Sequence, residues 1–325
     1  MKILLIDYDG KLPNLALCKL STYHKAQGDE VFLNECDRPD RTYISSLFTW
    51  NRSKVEKLLQ VYPNAEVGGT GWDLHKDLPA EIEACKPDYD LYKVSDILPR
   101  IRGGIASKES KIKKAETIVN AGIGFTSRGC IRKCGFCFVP PKEGSFRQVA
   151  NIGELLNPRS NVLILLDNNL TADPDVIEKL HEIRDRKLII DISQGIDVRL
   201  ITPEIAQALS EVRHLRSVHY AWDLMKYEKQ VLRGIDILSK FINVRNHLCM
   251  MLTGYDTVTA EDEYRFTKLR EAGIDPYVMP FNKQYPTAKH KHFARWVNAR
   301  IYKVCSFSEY EPWVKAQSDL QMSLF

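Results

Sequence analysis

Short apolar segments alternate with amphipathic segments of helical length along most of this chain, and this alternation limits the folds available to it. The first hundred residues carry candidate strands at 2–7, 30–33, 43–48 and 65–67, with helical patterns at 12–26 and 53–61. Strands that alternate with helices indicate βαβ units and a parallel sheet. The sequence therefore predicts a Rossmann-like α/β domain at residues 1–100.

The alternation continues with longer periods after residue 122. Candidate strands lie at 123–126, 162–166, 188–192, 217–221, 244–252 and 277–280, and clear helical patterns lie between most of them. Six strands with helical crossovers predict a partial (β/α)6 barrel, whose functional residues would lie at the carboxyl ends of its strands. We place this barrel at 121–285, after a basic, glycine-containing linker at 101–120 and before a helical C-terminal extension at 286–325.

Composition supports an ordinary globular protein. The 325 residues are 44% hydrophobic and 27% charged, which excludes a disordered, collagenous or coiled-coil chain. The net charge of +4 is too small to indicate a nucleic-acid partner by itself. No segment approaches the roughly 20 apolar residues that cross a bilayer, and the apolar run 3–6 is too short for a signal peptide. We expect a cytoplasmic protein without a membrane partner.

Eight cysteines are present, and three of them fall within eight residues, directly after the first barrel strand. A disulfide framework is typical of short secreted chains, so metal or redox chemistry is the better interpretation of this cluster. Three thiolates at Cys130, Cys134 and Cys137 can converge on one inorganic centre. The basic neighbours Arg128 and Arg132, with Lys133, would help keep them ionised.

The number of cysteines distinguishes a zinc site from an iron–sulfur cluster. Structural zinc usually takes four ligands in paired C-x2-C units, and neither a second pair nor a close His is present. A 4Fe-4S cluster normally takes four cysteines, so three would leave one iron free for a ligand that is not protein. A structural zinc site or an accidental cysteine trio is the alternative.

The spacing C-x3-C-x-aromatic-C, with Phe136 as the aromatic residue, resembles the cluster motif of the radical S-adenosylmethionine (SAM) superfamily. The longer string that begins at Ser127 is similar to subfamilies with an N-terminal cobalamin-binding or methylthiotransferase domain. The resemblance implies a 4Fe-4S cluster held by the three cysteines, with SAM bound to the open iron. It also implies an electron donor such as flavodoxin or ferredoxin, and a 5′-deoxyadenosyl radical that abstracts hydrogen from a substrate.

The resemblance implies further cofactor contacts at the strand ends. Asp197 and Arg199 are the candidate catalytic residues; Arg199 could pair with the SAM carboxylate in bidentate fashion. Gly254 would let adenine approach the backbone. For each position the alternative is a helix cap or a structural ion pair. The expected cofactor-binding residues are Phe136, Asp167, Asn168, Asn169, Gln194, Arg199, Asp223, Gly254, Pro280 and Phe281.

The N-terminal domain resembles the cobalamin-binding fold at two places, Ser45-Ser46-Leu47 and Gly68-Gly69, which could also be simple turn residues. The Asp-x-His-x-x-Gly motif that supplies an axial His to cobalt is missing after the first strand. Cobalamin is therefore a possible cofactor without a protein His ligand. A rival hypothesis is a methylthiotransferase-like enzyme with a second cluster on Cys18, Cys36 and Cys85.

The tail at 289–303 carries lysines and arginines interleaved with Trp296 and Tyr302. Such a helix could contact phosphates and stack on bases, but it more often packs its apolar face on the domain. The leading prediction is thus a radical SAM enzyme acting on an unidentified substrate by methylation or another radical modification. A non-catalytic iron–sulfur or zinc protein is the competing class.

Overall fold

The computed structural model describes residues 1–101, 106–281 and 286–310. Several predicted features lie outside these residues: Arg102, Gly103 and Gly104 of the linker, the barrel's end at 282–285, and the extension at 311–325. No helix in the described part of the chain is long and apolar enough to cross a membrane.

The N-terminal region is a parallel sheet covered by helices on both faces. Its strands and helices are β1 (Lys2–Asp7), α1 (Leu15–Ala26), β2 (Glu30–Leu33), β3 (Arg41–Ser45), α2 (Arg52–Val61), β4 (Glu66–Gly68), α3 (Ala80–Glu83), α4 (Val94–Ile97) and α5 (Lys108–Asn120). The strand order is β2-β1-β3-β4. Alternate residues of β1 enter different cores: Ile3 and Leu5 pack with Leu17 of α1, whereas Leu4 packs with Val55 of α2.

Helix α5 corrects the predicted linker. Residues 108–120, expected to be a solvated connection, form a helix that begins after Ser107, whose side chain caps the Ser110 N–H. Ala115 and Ile118 are buried in the same core as β1. Their spacing of three residues places them on one face of the helix, which the high lysine content of this segment obscured.

The second region contains the six predicted parallel strands in chain order, with small differences in their ends. Its strands and helices are β5 (Gly122–Gly124), β6 (Ser127–Arg128), α6 (Val139–Glu143), β7 (Arg147–Gln148), β8 (Val162–Leu165), α7 (Val176–Asp185), β9 (Ile189–Ile192), α8 (Pro203–Glu211), β10 (Arg213–His214), β11 (Val218–Ala221), α9 (Glu228–Ser239), β12 (His247–Thr253), α10 (Thr259–Glu271), β13 (Asp275–Pro280) and α11 (Ala288–Asn298).

The parallel strands form two sheets, β10-β9-β8-β5 and β11-β12-β13, linked by an isolated parallel bridge between Ile196 and Tyr220. Strands β6 and β7 form a separate antiparallel pair. A large core packs the outer faces of the strands against the helices. The predicted α/β class with parallel sheets is confirmed. The finer division into a Rossmann-like domain and a partial barrel stays a prediction.

The two regions contact each other directly. Leu12 and Leu15, from the segment after β1 and the start of α1, pack against a core that contains Ile123 and Ile164. The Tyr89 hydroxyl donates a hydrogen bond to the Leu155 carbonyl at 2.8 Å. The N-terminal sheet therefore lies with its carboxyl edge near the start of the second region.

Helix α11 decides between the two interpretations of the basic aromatic tail. Phe293 and Trp296 are buried, and Trp296 donates its indole N–H to the Cys305 carbonyl at 3.0 Å. The Tyr302 hydroxyl donates to Asp275 at 3.1 Å. These rings belong to an aromatic core rather than to an exposed face, which confirms the favoured interpretation that this helix packs its apolar face on the domain.

We expect Gly234→Ala to destabilise the protein by about 1–3 kcal/mol because the new methyl group overpacks a close contact. Gly234 lies in α9, and a Cβ there would be 1.9 Å from the Val198 carbonyl oxygen. Gly153→Ala is the matched control, since a Cβ there would lie 3.6 Å from an Arg186 nitrogen, an ordinary van der Waals contact. Urea unfolding measures both; equal losses in the two variants would contradict the packing argument.

Candidate functional site

The three clustered cysteines lie on a loop that is closed at its base. Strands β6 and β7 pair antiparallel, Ser127 with Gln148 and Arg128 with Arg147. Gly129 follows β6 with a φ of +78°, and a Cβ there would lie 2.2 Å from the Ser145 carbonyl oxygen. Glycine is required here by both its left-handed backbone and the close approach of the returning strand.

Asp167 anchors the start of this loop. The residue is fully buried after β8, and its carboxylate accepts four hydrogen bonds. The Thr126 N–H and hydroxyl donate at 3.1 and 2.6 Å, and the Ser127 N–H and hydroxyl donate at 2.6 and 2.7 Å. A buried carboxylate needs such donors, and here they fix the backbone immediately before the cysteines.

Two asparagines continue this anchoring into the loop. Asn168 accepts the Gly129 N–H at 2.9 Å, and Asn169 directs its amide nitrogen toward the Cys130 sulfur at 3.5 Å. The Arg132 N–H also points to Cys130, at 3.3 Å. The Val139 N–H approaches the Cys137 sulfur at 3.4 Å. Such N–H donors stabilise sulfur that carries negative charge.

Burial and nearby groups shift the pKa values of the Cys134 and Cys137 thiols in opposite directions. Burial raises the pKa of Cys134 and that of Cys137, while the Arg199 guanidinium opposes this shift at Cys134 and the Val139 N–H opposes it at Cys137. The predicted contribution of Arg128 is not found, because its guanidinium pairs with Glu83 and Glu143. The cation that favours ionisation of the Cys134 thiol is Arg199, which is distant from it in the sequence.

Asp197 joins two arginines beside the cysteines. Arg199 donates to both carboxylate oxygens at 2.6 and 2.9 Å, and Arg132 donates at 2.9 Å. Although burial raises the pKa of Asp197, these donors hold it below its usual range. The bidentate edge of Arg199, expected to bind the SAM carboxylate, is therefore already paired within the protein.

Asp223 is a second acidic group of a different character. Burial raises its pKa, opposed by the Leu252 N–H, which donates at 3.1 Å, and by the charges of Arg265 and Arg199. Asp223 thus differs from Asp197, whose pKa is lowered by its two arginine partners.

A cavity of about 1200 Å³ brings most of the predicted residues together. It runs between the N-terminal sheet and the mouth of the second region. The predicted site residues that line it are Cys130, Cys134, Phe136, Cys137, Asn168, Asn169, Gln194, Asp197, Arg199 and Asp223.

Four predicted residues are placed elsewhere. Asp167 lies behind the loop with its carboxylate occupied, so it positions the loop rather than facing the cavity. Gly254 has a φ of +75°, and a Cβ there would lie 2.7 Å from the His290 ring, which explains the glycine without a ligand. Pro280 and Phe281 also lie outside the cavity lining. Phe281 packs on Tyr255, whose ring contacts Phe136.

A chain of ion pairs connects the cysteine loop to the N-terminal region, and no motif in the sequence predicted it. Glu83 of α3 pairs with Arg128 at 3.1 Å, and Arg128 pairs with Glu143 of α6 at 2.9 Å. Lys142 reaches Asp77 at 2.5 Å. The dipeptide Lys142-Glu143, shortly after Cys137, indicated that ion pairs could form here, but its partners are distant in the sequence.

The carboxyl edge of the N-terminal sheet gives no support to the cobalamin prediction. Asp9 accepts the N–H groups of Leu47 and Phe48 at 2.6 and 3.2 Å, and also bonds Ser46 and Asn51. A Cβ at Gly69 would lie 2.3 Å from the Ser46 carbonyl oxygen, so this glycine serves loop packing. No imidazole lines the cavity within the described residues.

The cysteines of the proposed second cluster do not converge. Cys18 is buried on the α1 side of the N-terminal sheet, and Cys36 packs with the core on the α2 side. Cys85 donates a hydrogen bond to the Glu81 carbonyl at 3.3 Å. A sheet separates the first two thiols, so the three cannot ligate one centre.

The described ranges contain no group of three or more His, Cys, Asp and Glu side chains arranged to hold a metal ion. The donor chemistry of the loop nevertheless fits an iron–sulfur cluster. Three thiols line one cavity, two of the sulfurs meet N–H donors, and Arg199 compensates charge at the third. Thiolate ligands, N–H donors to sulfur and partial burial are the usual surroundings of such clusters.

Comparisons with known proteins add little. No protein-family model matches this chain, and no curated protein matches it. Among solved structures, the crystal structure of Streptococcus suis SuiB bound to precursor peptide SuiA matches at 13% identity with a TM-score of 0.37. The match covers 78% of this chain and 58% of SuiB. This chain thus spans less than two thirds of SuiB, and a TM-score this low assigns neither family nor function.

We expect Asp167→Asn to lower the free energy of unfolding by about 2–4 kcal/mol, because an amide N–H₂ would face donors of Thr126 or Ser127. Urea unfolding is the measurement. Asp236→Asn, on the exposed face of α9, is the control and should change stability by less than about 0.5 kcal/mol. An Asp167 variant as stable as the wild type would show that the four hydrogen bonds do not anchor the loop.

Hydroxocobalamin should not stay bound to this protein, because Asp9 occupies the N–H groups of Leu47 and Phe48 at the sheet edge and no histidine of the described residues lines the cavity. The test is anaerobic incubation with hydroxocobalamin, desalting and a visible spectrum. Recovery of about one cobalamin per chain would contradict this expectation.

Proposed function

We propose that this chain is a radical SAM enzyme in which Cys130, Cys134 and Cys137 hold a 4Fe-4S cluster. The observation that carries the proposal is the placement of three thiols on one anchored loop, after β5, facing a cavity lined by polar residues from the ends of later strands. When bound, such a cluster supplies the electron that cleaves SAM and leads to hydrogen abstraction from substrate.

The chain's own residues would prepare this site in three ways. Asp167 and Asn168 hold the loop backbone, so that the thiols are presented before any ligand arrives. Arg199, whose guanidinium also lies 4.6 Å over the Tyr227 ring, favours the ionised form of Cys134. Preorganised charge of this kind needs no rearrangement during the reaction.

The remaining polar groups would hold SAM. Asn169 and Gln194 offer amide oxygens and nitrogens at the cavity wall, and Asp223 offers a carboxyl oxygen. Acceptors of this type suit an ammonium group, and amides suit a carboxylate or ribose. Because Asp197 already occupies both arginines, its role in the proposal is to hold Arg199 beside Cys134.

Anaerobic reconstitution tests the proposal. We expect about four iron atoms per chain, SAM binding, and 5′-deoxyadenosine after addition of dithionite. Cys134→Ala should lose at least about 100-fold of this product, since a ligand to the reactive centre is removed. Cys85→Ala is the matched control, because its half-buried thiol lies in the N-terminal region, and it should keep wild-type product.

Three results would contradict the proposal or part of it. One is a site that fills with zinc and takes up no iron. Another is a reconstituted wild type with a reducible cluster that neither binds nor cleaves SAM. Equal 5′-deoxyadenosine from wild type and Cys134→Ala would likewise remove Cys134 from the centre.

A further inference from the structure

The cavity extends well beyond the cysteine loop. Its volume of about 1200 Å³ exceeds the roughly 300–1,000 Å³ of most small-molecule pockets. One wall is formed by the second region and carries the cysteines. The opposite wall comes from the N-terminal region, including the segment after β1 and the loops after β3 and β4. A ligand beside the cysteines would thus leave room for a second molecule.

We call the part of the cavity that adjoins the N-terminal region the second compartment. Its walls are held in place by ion pairs. Lys19 and Arg128 both reach Glu83, at 2.9 and 3.1 Å, and Lys142 reaches Asp77 at 2.5 Å. The pairs of Arg128 with Glu83 and of Lys142 with Asp77 join the N-terminal region to the strand and helix that flank the cysteines, while Lys19 holds Glu83 within the N-terminal region. The compartment is therefore built into the resting structure and does not require a ligand to form.

The N-terminal wall is largely apolar. Leu12, Leu47 and Phe48 line it, and the Phe48 ring stacks on Trp50 with centroids 4.4 Å apart. On the other side, Phe136 and Phe138 line the cavity. Apolar and aromatic walls of this kind hold the body of a ligand by excluding water.

The charges of the cavity do not balance. Its described lining contains nine basic and six acidic residues. Each lining arginine, together with Lys19 and Lys142, lies within ion-pair distance of an acidic residue of the same lining. Among the described residues, the Lys76 ammonium donates to the Val67 carbonyl alone, at 2.8 Å. Lys11 has no hydrogen bond or ion pair with any residue in the described part of the chain, and it is exposed at the N-terminal wall.

We propose that this compartment binds the substrate, and that the substrate is an amphiphilic anion. Its apolar or aromatic body lies between Leu12, Leu47 and Phe48, and its acidic group, a carboxylate or a phosphate, pairs with Lys11. The assignment of this anion as the substrate rests on the function proposed above. The binding of such an anion stands on the cavity and its charges alone.

The test uses 1-anilinonaphthalene-8-sulfonate, which combines an aromatic body with an anionic group. Fluorescence titration of the full-length protein should show one saturable site. Lys11→Glu should weaken binding at least about tenfold, because a partner of opposite charge becomes one of like charge. Lys11→Gln should have a smaller effect. Lys54→Glu is the matched control: Lys54 is exposed on α2, outside the cavity lining, and its variant should bind within about twofold of wild type.

Two comparisons separate charge from folding and identify the acidic group. The uncharged dye Nile red should bind wild type and Lys11→Glu equally, which a misfolded variant would not do. Decanoate and decyl phosphate then compete with the bound sulfonate dye, and the stronger competitor identifies the acidic group. Equal dye affinity in wild type and Lys11→Glu, an equal loss in Lys54→Glu, or no competition by either anion would overturn the proposal. None of these measurements requires iron or SAM, so they stand apart from the 5′-deoxyadenosine experiment.

Discussion

The buried carboxylate of Asp167 is the interaction on which the site depends. It gathers four hydrogen bonds from two consecutive residues, Thr126 and Ser127, at the point where the chain leaves β5. A charge in this position is expensive to bury unless its acceptor sites are filled. The donors that satisfy this carboxylate belong to the two residues just before the cysteine loop, so the same hydrogen bonds fix where the loop starts. The loop conformation is therefore set by β8, the neighbouring strand, rather than by the cysteines themselves.

A second constraint acts from the other side of the loop. Helix α6 follows Cys137 after one residue, and its Lys142 and Glu143 connect through Asp77, Arg128 and Glu83 to the N-terminal region. Individual ion pairs near a surface contribute only about 0–1 kcal/mol. Several of them on one short segment nevertheless define its orientation. The loop is thus held between β8 and the N-terminal region, with the thiols facing the space between them.

Much of this architecture could be predicted from the sequence, and the failures have physical causes. The six strands of the second region were correct to within a few residues because each is a short apolar run bounded by polar turns. The grouping of the cysteines with Asn169, Gln194 and Arg199 followed from the rule that strand ends meet at one edge of a parallel sheet. Asp167 and Gly254 lie outside the cavity lining, and their expected cofactor contacts stay predictions. Sequence cannot distinguish a polar or small residue that faces a ligand from one that satisfies a neighbouring backbone or ring. Helix α5 was missed because its lysines dominate a weak apolar spacing.

The side chain of Asp9 has a consequence for what the N-terminal region contributes. At the edge of the N-terminal sheet, where sheets of this topology commonly hold a ligand, this carboxylate accepts the N–H groups of Leu47 and Phe48. The same region also braces the cysteine-bearing segment through Asp77 and Glu83. Its sheet edge is thus occupied by its own side chain, while its acidic residues act as a mechanical support. A shortened chain without them would hold the cysteine segment from the β8 side alone.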